Sequence, residues 1–381
     1  MPQITAAPDP TLVPVEDRGE QPPEAGIALC LSGGGYRAMV FHLGVLWRLN
    51  ELGYLERLDR VSSVSGGSIT AGLLGLRWSR LGFVNGIARR LVEEVIDPIR
   101  AFAHRTIDIG AVLKGVFLPG SVSDKVAAAY DQHLYNGGTL QDLPDAPRFV
   151  INATNVQTGA LWRFSKPYMR DYLVGEVKNP DVRLAAAVAA SSAFPPFLSP
   201  ATLEIDPSRY SPRTDEPYHE APYTTKAMLS DGGVYDNLGL ETAWKQFNTI
   251  LVSDAGQKMS ADPDPGEDWA THTKRVFDLI DNQVRALRKR QIVGAFVAGL
   301  RKGAYWSVRS EIADYGLADA LSCPAERTAE LAAIKTRLED IPDDLQERLI
   351  NWGYAICDAA MRRWVDRSLP APDRFPYPGG V

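Results

Sequence analysis

The chain has 381 residues, 41 of them basic and 47 acidic, for a net charge of -6 at pH 7. That balance excludes a general attraction to nucleic acid, and no run approaches the ~20 apolar residues that cross a bilayer. With 45% hydrophobic residues and three widely separated cysteines, Cys30, Cys323 and Cys357, the chain can bury a core as one large domain. It needs neither disulfides nor a helper metal to do so, which fits a reducing, cytoplasmic compartment.

Residues 1–25 hold six prolines and no apolar run, so they read as a flexible lead-in and not as a signal peptide. From residue 26 onward, apolar β-branched runs alternate with helical patterns. Strands are expected over 27–31, 60–64, 148–153, 161–165, 227–230 and 249–253. This alternation predicts a three-layer α/β/α sandwich with a mainly parallel central sheet.

The first strand delivers Ser32-Gly33-Gly34-Gly35-Tyr36-Arg37-Ala38 to a helix start. Consecutive glycines let main-chain N–H groups turn toward an anion without a Cβ in the way. In an acyl-transfer enzyme such a loop is an oxyanion hole. The same residues also satisfy G-x-G-x-x-A, with Asp59 at a spacing suited to a ribose contact, so a dinucleotide-binding oxidoreductase stands as an alternative.

The second strand runs into Ser63-Val64-Ser65-Gly66-Gly67-Ser68, a strand, sharp elbow and helix. A serine at such an elbow holds its hydroxyl out of the packed layer, beside the free N–H groups of the next helix. Ser65 is therefore the expected nucleophile. Ser63 stands where the G-x-S-x-G pattern has its first glycine, at a position that must be small because strand and helix approach closely there.

A mostly helical insertion around 76–143, interrupted at Gly115 and Pro119-Gly120, reads as a candidate cap over the substrate. The small, apolar stretch 185–190 reads as a helix packed tightly beneath the site, ended by Pro195-Pro196. Farther on, a strand ends in Asp231-Gly232-Gly233, which holds a carboxylate where it can meet another segment. The run lacks the alternating oxygen ligands of a calcium loop.

Taken in order, Gly33-Gly34-Gly35-Tyr36-Arg37, Ser63-Val64-Ser65-Gly66-Gly67 and Asp231-Gly232-Gly233 resemble the patatin-like phospholipase family, over about residues 26–256. The stretch 185–200 is similar to that family's Ala-Ser-x-Ala-x-Pro segment. The resemblance implies a Ser-Asp dyad without histidine, in which Ser65 is the nucleophile and Asp231 its base. It implies an oxyanion loop formed by Gly33, Gly34 and Gly35 with Arg37 following, and an elbow of Ser63, Gly66 and Gly67. Lipid acyl esters are the implied substrate, with no cofactor and no metal. The chemistry stands by itself as well: a carboxylate in a dry site has its pKa raised and can accept a serine proton directly. The five histidines, His42, His104, His133, His219 and His272, carry no turn motif of their own.

Residues 257–369 read as a C-terminal helical extension packed on the core, and 370–381 as a proline-rich tail. Within the extension, Phe277, Ile280, Val284 and Leu287 follow helical spacing and are expected to face the core. The basic cluster Arg285, Arg288, Lys289 and Arg290 is then solvated. The alternative is a peripheral contact of that cluster with anionic lipid. A third reading of the whole chain, a ligand-regulated scaffold that keeps the lipase fold, also stands open.

Overall fold

The computed structural model describes residues 23–107, 121–211, 216–257 and 259–381. Strand β1 (Glu24–Leu31) feeds helix α1 (Gly35–Glu51), and β2 (Arg60–Ser63) feeds α2 (Gly66–Leu76). A small hairpin, β3 (Phe83–Val84) and β4 (Ile87–Ala88), is followed by α3 (Asp97–Ala103), α4 (Val122–Tyr130) and β5 (Arg148–Asn155). A meander of β6 (Leu161–Phe164), β7 (Tyr168–Asp171) and β8 (Gly175–Lys178) leads to α5 (Leu184–Ser191), β9 (Ala201–Glu204) and β10 (Lys226–Asp231). Two single-turn helices, α6 (Gly233–Asp236) and α7 (Glu241–Trp244), precede β11 (Phe247–Asp254) and the long α8 (Trp269–Val297). The chain ends through β12 (Lys302–Ser307), α9 (Ala325–Ala333) and α10 (Asp343–Ala360).

The strands form one sheet ordered β12-β11-β1-β2-β5-β6-β7-β8, with β10 bridging β5 and β9. From β12 to β5 every pairing is parallel, and from β5 to β8 every pairing is antiparallel. The six strands expected from the sequence are all present. The short β7, β8, β9 and β12 are additional, and β12 adds a strand to the sheet from within 257–369, which was expected to be helical.

Residue alternation along β1 shows why the sheet is covered on both faces. Leu29 and Leu31 belong to the large core that includes α1, α2 and α10, whereas Ala28 and Cys30 pack with Leu240, Ala243 and Ile292 from α7 and α8. All four are fully buried, and a strand buried on both sides must read as a continuous apolar run. Burial also pushes the Cys30 thiol far above its ordinary range, consistent with a core side chain.

Within 76–143, Val95, Ile99, Phe102 and Tyr130 are buried in the main core, with Tyr130 beside Ser192 and Asp231. Gly115, Pro119 and Gly120 lie outside the described residues, as do residues 1–22. The tail is tied down, with Asn351 Nδ2 donating to the carbonyls of Tyr377 and Gly380 at 2.8 Å each.

Helix α10 lies directly on α1 at a crossing made by two glycines. A Cβ on Gly44 would fall 1.8 Å from the Ile350 carbonyl oxygen, and one on Gly353 would fall 2.1 Å from that of Phe41. Backbone opposes backbone on both sides, so a new methyl has nowhere to go. Gly353→Ala is expected to lower stability by roughly 1–3 kcal/mol, read as a drop of several degrees in thermal melting.

Helix α8 departs in part from the expected orientation: Lys289 and Arg290 are exposed as expected, but so is part of the apolar stripe. Ile280 and Leu287 are 54% and 58% exposed, while Arg285 is only 7% exposed. Polar partners draw the basic side inward: Arg288 pairs with the buried Glu241 at 2.9 Å, and Arg285 Nη2 donates to the Gln257 carbonyl. Glu241 is buried between Arg288 and Lys245, which pairs with it at 2.8 Å, so both cations offset the cost of burying its charge.

Candidate active site

Sheet register brings the two chemical side chains together. Along β5, Ser63 of β2 pairs with Ile151 in parallel, and Asp231 of β10 pairs with Ala153 in antiparallel sense. Strand β6 occupies the other edge of β5, over Ile151 to Thr154. Strands β2 and β10 therefore share one edge and point at each other, so Ser65, just past the end of β2, and Asp231, the last residue of β10, meet. Only the first two motifs sit at the C-terminal ends of parallel strands; Asp231 arrives from the opposite direction.

Ser65 adopts φ 52° and ψ -123°, a conformation non-glycine residues avoid at a cost of about 1–3 kcal/mol. The surroundings hold it there. Its N–H donates to Ser191 Oγ at 3.0 Å, and its carbonyl accepts the Ser68 N–H at 2.8 Å to start α2. Ser191 is the hub beneath the elbow, donating to the Asn152 carbonyl at 2.6 Å and bonding Ser68 Oγ at 2.9 Å. Ser68 Oγ in turn donates to Ser63 Oγ at 3.0 Å, which gives the hydroxyl at position 63 a role a glycine could not fill. Gly66 and Gly67 are required by contact: a Cβ would lie 2.1 Å from the Gly35 carbonyl oxygen or 2.5 Å from that of Leu31.

The glycine loop lies against this elbow. Gly33 N–H is already taken by the Asn237 carbonyl at 3.1 Å. Gly34 and Gly35 have φ of 145° and 60°, which turn the loop, and Gly35 as the first residue of α1 has an amide without an intrahelical acceptor. Arg37 is fully buried, and its guanidinium is taken up by the chain on the far side of the loop. Its Nη2 donates to the Ala255 carbonyl at 2.7 Å and to Thr336 Oγ1 at 3.2 Å, and its Nη1 donates to the Ile334 carbonyl. It fastens the loop to β11 and to the segment after α9.

Asp231 is 2% exposed, and burial is the main cause that pushes its carboxyl up to about 7. The Gly233 N–H on Oδ1 at 2.7 Å and the Ser65 hydroxyl facing it oppose that rise, while Asp281 of α8 adds to it. Its Oδ2 is buried without a partner of full hydrogen-bond geometry, an acceptor held open beside a serine hydroxyl.

Asn237 and its neighbours were not singled out by sequence reasoning. A methyl built on Gly33 would lie 3.1 Å from Ser65 Cβ and 2.3 Å from Asn237 Oδ1, so this carboxamide shares the space around the nucleophile. Its signal was only its place six residues after Asp231. Ser191 and Asn152 lie on α5 and β5 with no turn motif to mark them.

The histidines lie apart from Ser65 and Asp231. His42 is wholly buried, with Nδ1 at 3.0 Å from Ser253 Oγ and Nε2 at 3.0 Å from the Ser32 carbonyl, and burial lowers its pKa to about 4. Among the described residues, no imidazole bonds to Ser65 or Asp231, and no group of three or more His, Cys, Asp or Glu side chains could hold a metal ion. No helix among them is long and apolar enough to cross a membrane.

No curated protein matches the chain. Among solved structures, the fold is similar to human GIVD cytosolic phospholipase A2 in complex with methyl gamma-linolenyl fluorophosphonate and terbium chloride, with 14% identity and a TM-score of 0.52 over 88% of this chain and 57% of that one. The same human enzyme with the fluorophosphonate alone gives 13% identity and a TM-score of 0.50 over the same shares. VipD from Legionella pneumophila matches at 16% identity and a TM-score of 0.34, over 88% of this chain and 66% of that one. At its level of identity the human likeness speaks for the fold alone, and the present chain spans little more than half of the human one. The model of the patatin-like phospholipase family matches residues 29–244, which is more than half of the sequence and holds both Ser65 and Asp231. This protein is thus a member of the patatin-like phospholipase family.

Proposed function

We propose that this protein is a serine acyl hydrolase that cleaves fatty acyl esters of phospholipids or related lipids, with Ser65 as nucleophile and Asp231 as its base. The observation that carries the reading is the strained Ser65 held against a buried carboxyl with one open oxygen and a pKa near 7. Such a carboxyl is ionised enough at neutral pH to take a proton and basic enough to drive its transfer. Ser65 Oγ attacks the ester carbonyl as its proton passes to Asp231 Oδ2. Amides of Gly34 and Gly35 meet the oxyanion, and Asp231 returns the proton to the departing alcohol. Water, deprotonated by the same carboxylate, then releases the fatty acid and restores Ser65. Family membership and the lipid fluorophosphonate bound by the human neighbour support the lipid acyl class.

Geometry disfavours the dinucleotide alternative. Asp59, which would hold the ribose, instead accepts the Ile27 N–H at 2.7 Å near the start of β1, whereas the glycine loop lies beyond its far end.

Release of fatty acid from a panel of phospholipids, lysophospholipids and short soluble esters tests the activity. Hydrolysis of at least one class by the folded chain is expected; a folded chain inert toward all of them overturns the reading. Gly35→Ala tests the oxyanion loop. Its Cβ would lie 2.6 Å from the Arg337 carbonyl oxygen at a φ of 60°, so the loop must shift. Turnover of a soluble ester should fall roughly a hundredfold with unchanged circular dichroism. Unchanged turnover would remove the loop from catalysis.

A further inference from the structure

Helix α8 carries its apolar residues on the side facing away from the protein. At about 100° per residue, Trp269, Val276, Ile280 and Leu287 fall along one line of the helix. They are 82%, 43%, 54% and 58% exposed, with Leu279 beside them at 48%. The inward side holds Asp281, Arg285 and Arg288 and borders a cavity of about 920 Å³ lined by Asp254, Gln257, Asn282, Arg285 and Arg309. Packing against this protein's own core therefore does not account for the apolar line.

The line continues to the rim of the site. Phe277 of α8 packs its ring against Phe194 at 5.8 Å, and Phe194 and Phe197 are themselves 39% and 56% exposed. Phe194 directly follows Ala193, whose carbonyl accepts the Asp231 N–H at 2.9 Å. Asp281, one residue beyond Ile280, is close enough to raise the Asp231 carboxyl. One apolar surface thus runs from the N-terminal half of α8 to the edge of the dyad.

On this half of the helix Lys274 pairs with Asp278 at 2.6 Å and Arg285 with Asp281 at 3.3 Å, while Arg275 is turned to the Ser260 carbonyl at 2.8 Å. The exposed cations Lys289, over the Tyr305 ring at 4.8 Å, and Arg290 come only beyond the apolar line, and Arg288 is held by Glu241 at 2.9 Å. A surface that is apolar and locally neutral complements an uncharged or zwitterionic layer better than an anionic one.

We propose that the outward face of α8, with Phe194 and Phe197, is the surface on which this protein seats itself at a zwitterionic lipid–water interface, with the mouth of the dyad against the lipid. This rests on the lipid acyl hydrolase reading for its purpose, but its test reads binding separately from turnover.

The full chain and a Val276→Ser/Ile280→Ser variant are compared by cosedimentation with phosphatidylcholine vesicles. Both positions are exposed, so the fold is retained. The full chain should bind, with little change between low and high salt, and the variant should bind at least about tenfold more weakly. Vesicle hydrolysis should fall in parallel while turnover of a soluble short-chain ester stays unchanged. Addition of vesicles should shift tryptophan emission to the blue, and Trp269→Phe should reduce that shift. Equal binding by the variant, or no binding by the full chain, overturns the proposal. So does a dimer, seen by light scattering, that the variant dissolves, since the stripe would then cover a second copy. If the full chain binds vesicles yet hydrolyses no ester, the hydrolase reading fails and the interfacial one survives.

Discussion

Asp231→Asn is expected to remove essentially all ester turnover, about a thousandfold or more, and to raise the melting temperature at the same time. Both effects have one origin. Burial pushes the Asp231 carboxyl up to about 7, so at neutral and alkaline pH the fold contains a carboxylate that would be better solvated in the unfolded chain. A group whose pKa is raised by folding contributes stability that is fully present below its unfolded value near 4 and is lost as pH rises through about 7. An amide of the same shape cannot ionise, still accepts the Gly233 N–H, and escapes that cost, on the order of 2–4 kcal/mol at about pH 8. The variant should melt several degrees higher there, and the difference should vanish as pH falls toward about 4. A variant that loses activity and stability together would show that Asp231 is a structural partner and not a stored base.

Ser65→Ala is expected to be as inactive as Asp231→Asn, and the double variant scarcely worse, because nucleophile and base act as a unit. Wild-type kcat/KM should fall about tenfold per pH unit below the Asp231 value near 7 and level off above it. His42→Gln should keep measurable turnover, since that imidazole is buried and bonded to Ser253 and Ser32. If the double variant loses the product of the two single losses, the residues act independently and the dyad is the wrong description.

Much of this arrangement was legible before the fold was seen, because strands β1, β2 and β10 each end in glycines that only a tight turn at a site requires. The meeting of Ser65 and Asp231 was implied by the family resemblance alone. It depends on β10 pairing antiparallel to β5 on the same edge as β2, a long-range register that leaves no local trace in the sequence. Ser191 falls in the 185–200 segment that resembles the family's, but the pattern does not say what its hydroxyl does, which is to hold the Ser65 amide. Arg37 was placed after the glycine loop by the resemblance, but its partners, the Ala255 carbonyl and the Ile334 to Thr336 segment, lie far away in sequence and left no local signal. Periodicity located helix α8 correctly but could not say which face turns inward, because that was decided by Glu241, far away in sequence.

The account stands most directly on one measurement, the labelling of the folded wild-type chain by an alkyl fluorophosphonate followed by mass spectrometry of its peptides. A nucleophile activated by a buried base predicts a single adduct on the peptide holding Ser65, absent from Ser65→Ala and strongly slowed in Asp231→Asn. An adduct on any other residue, or equal labelling of folded Ser65→Ala, would contradict it.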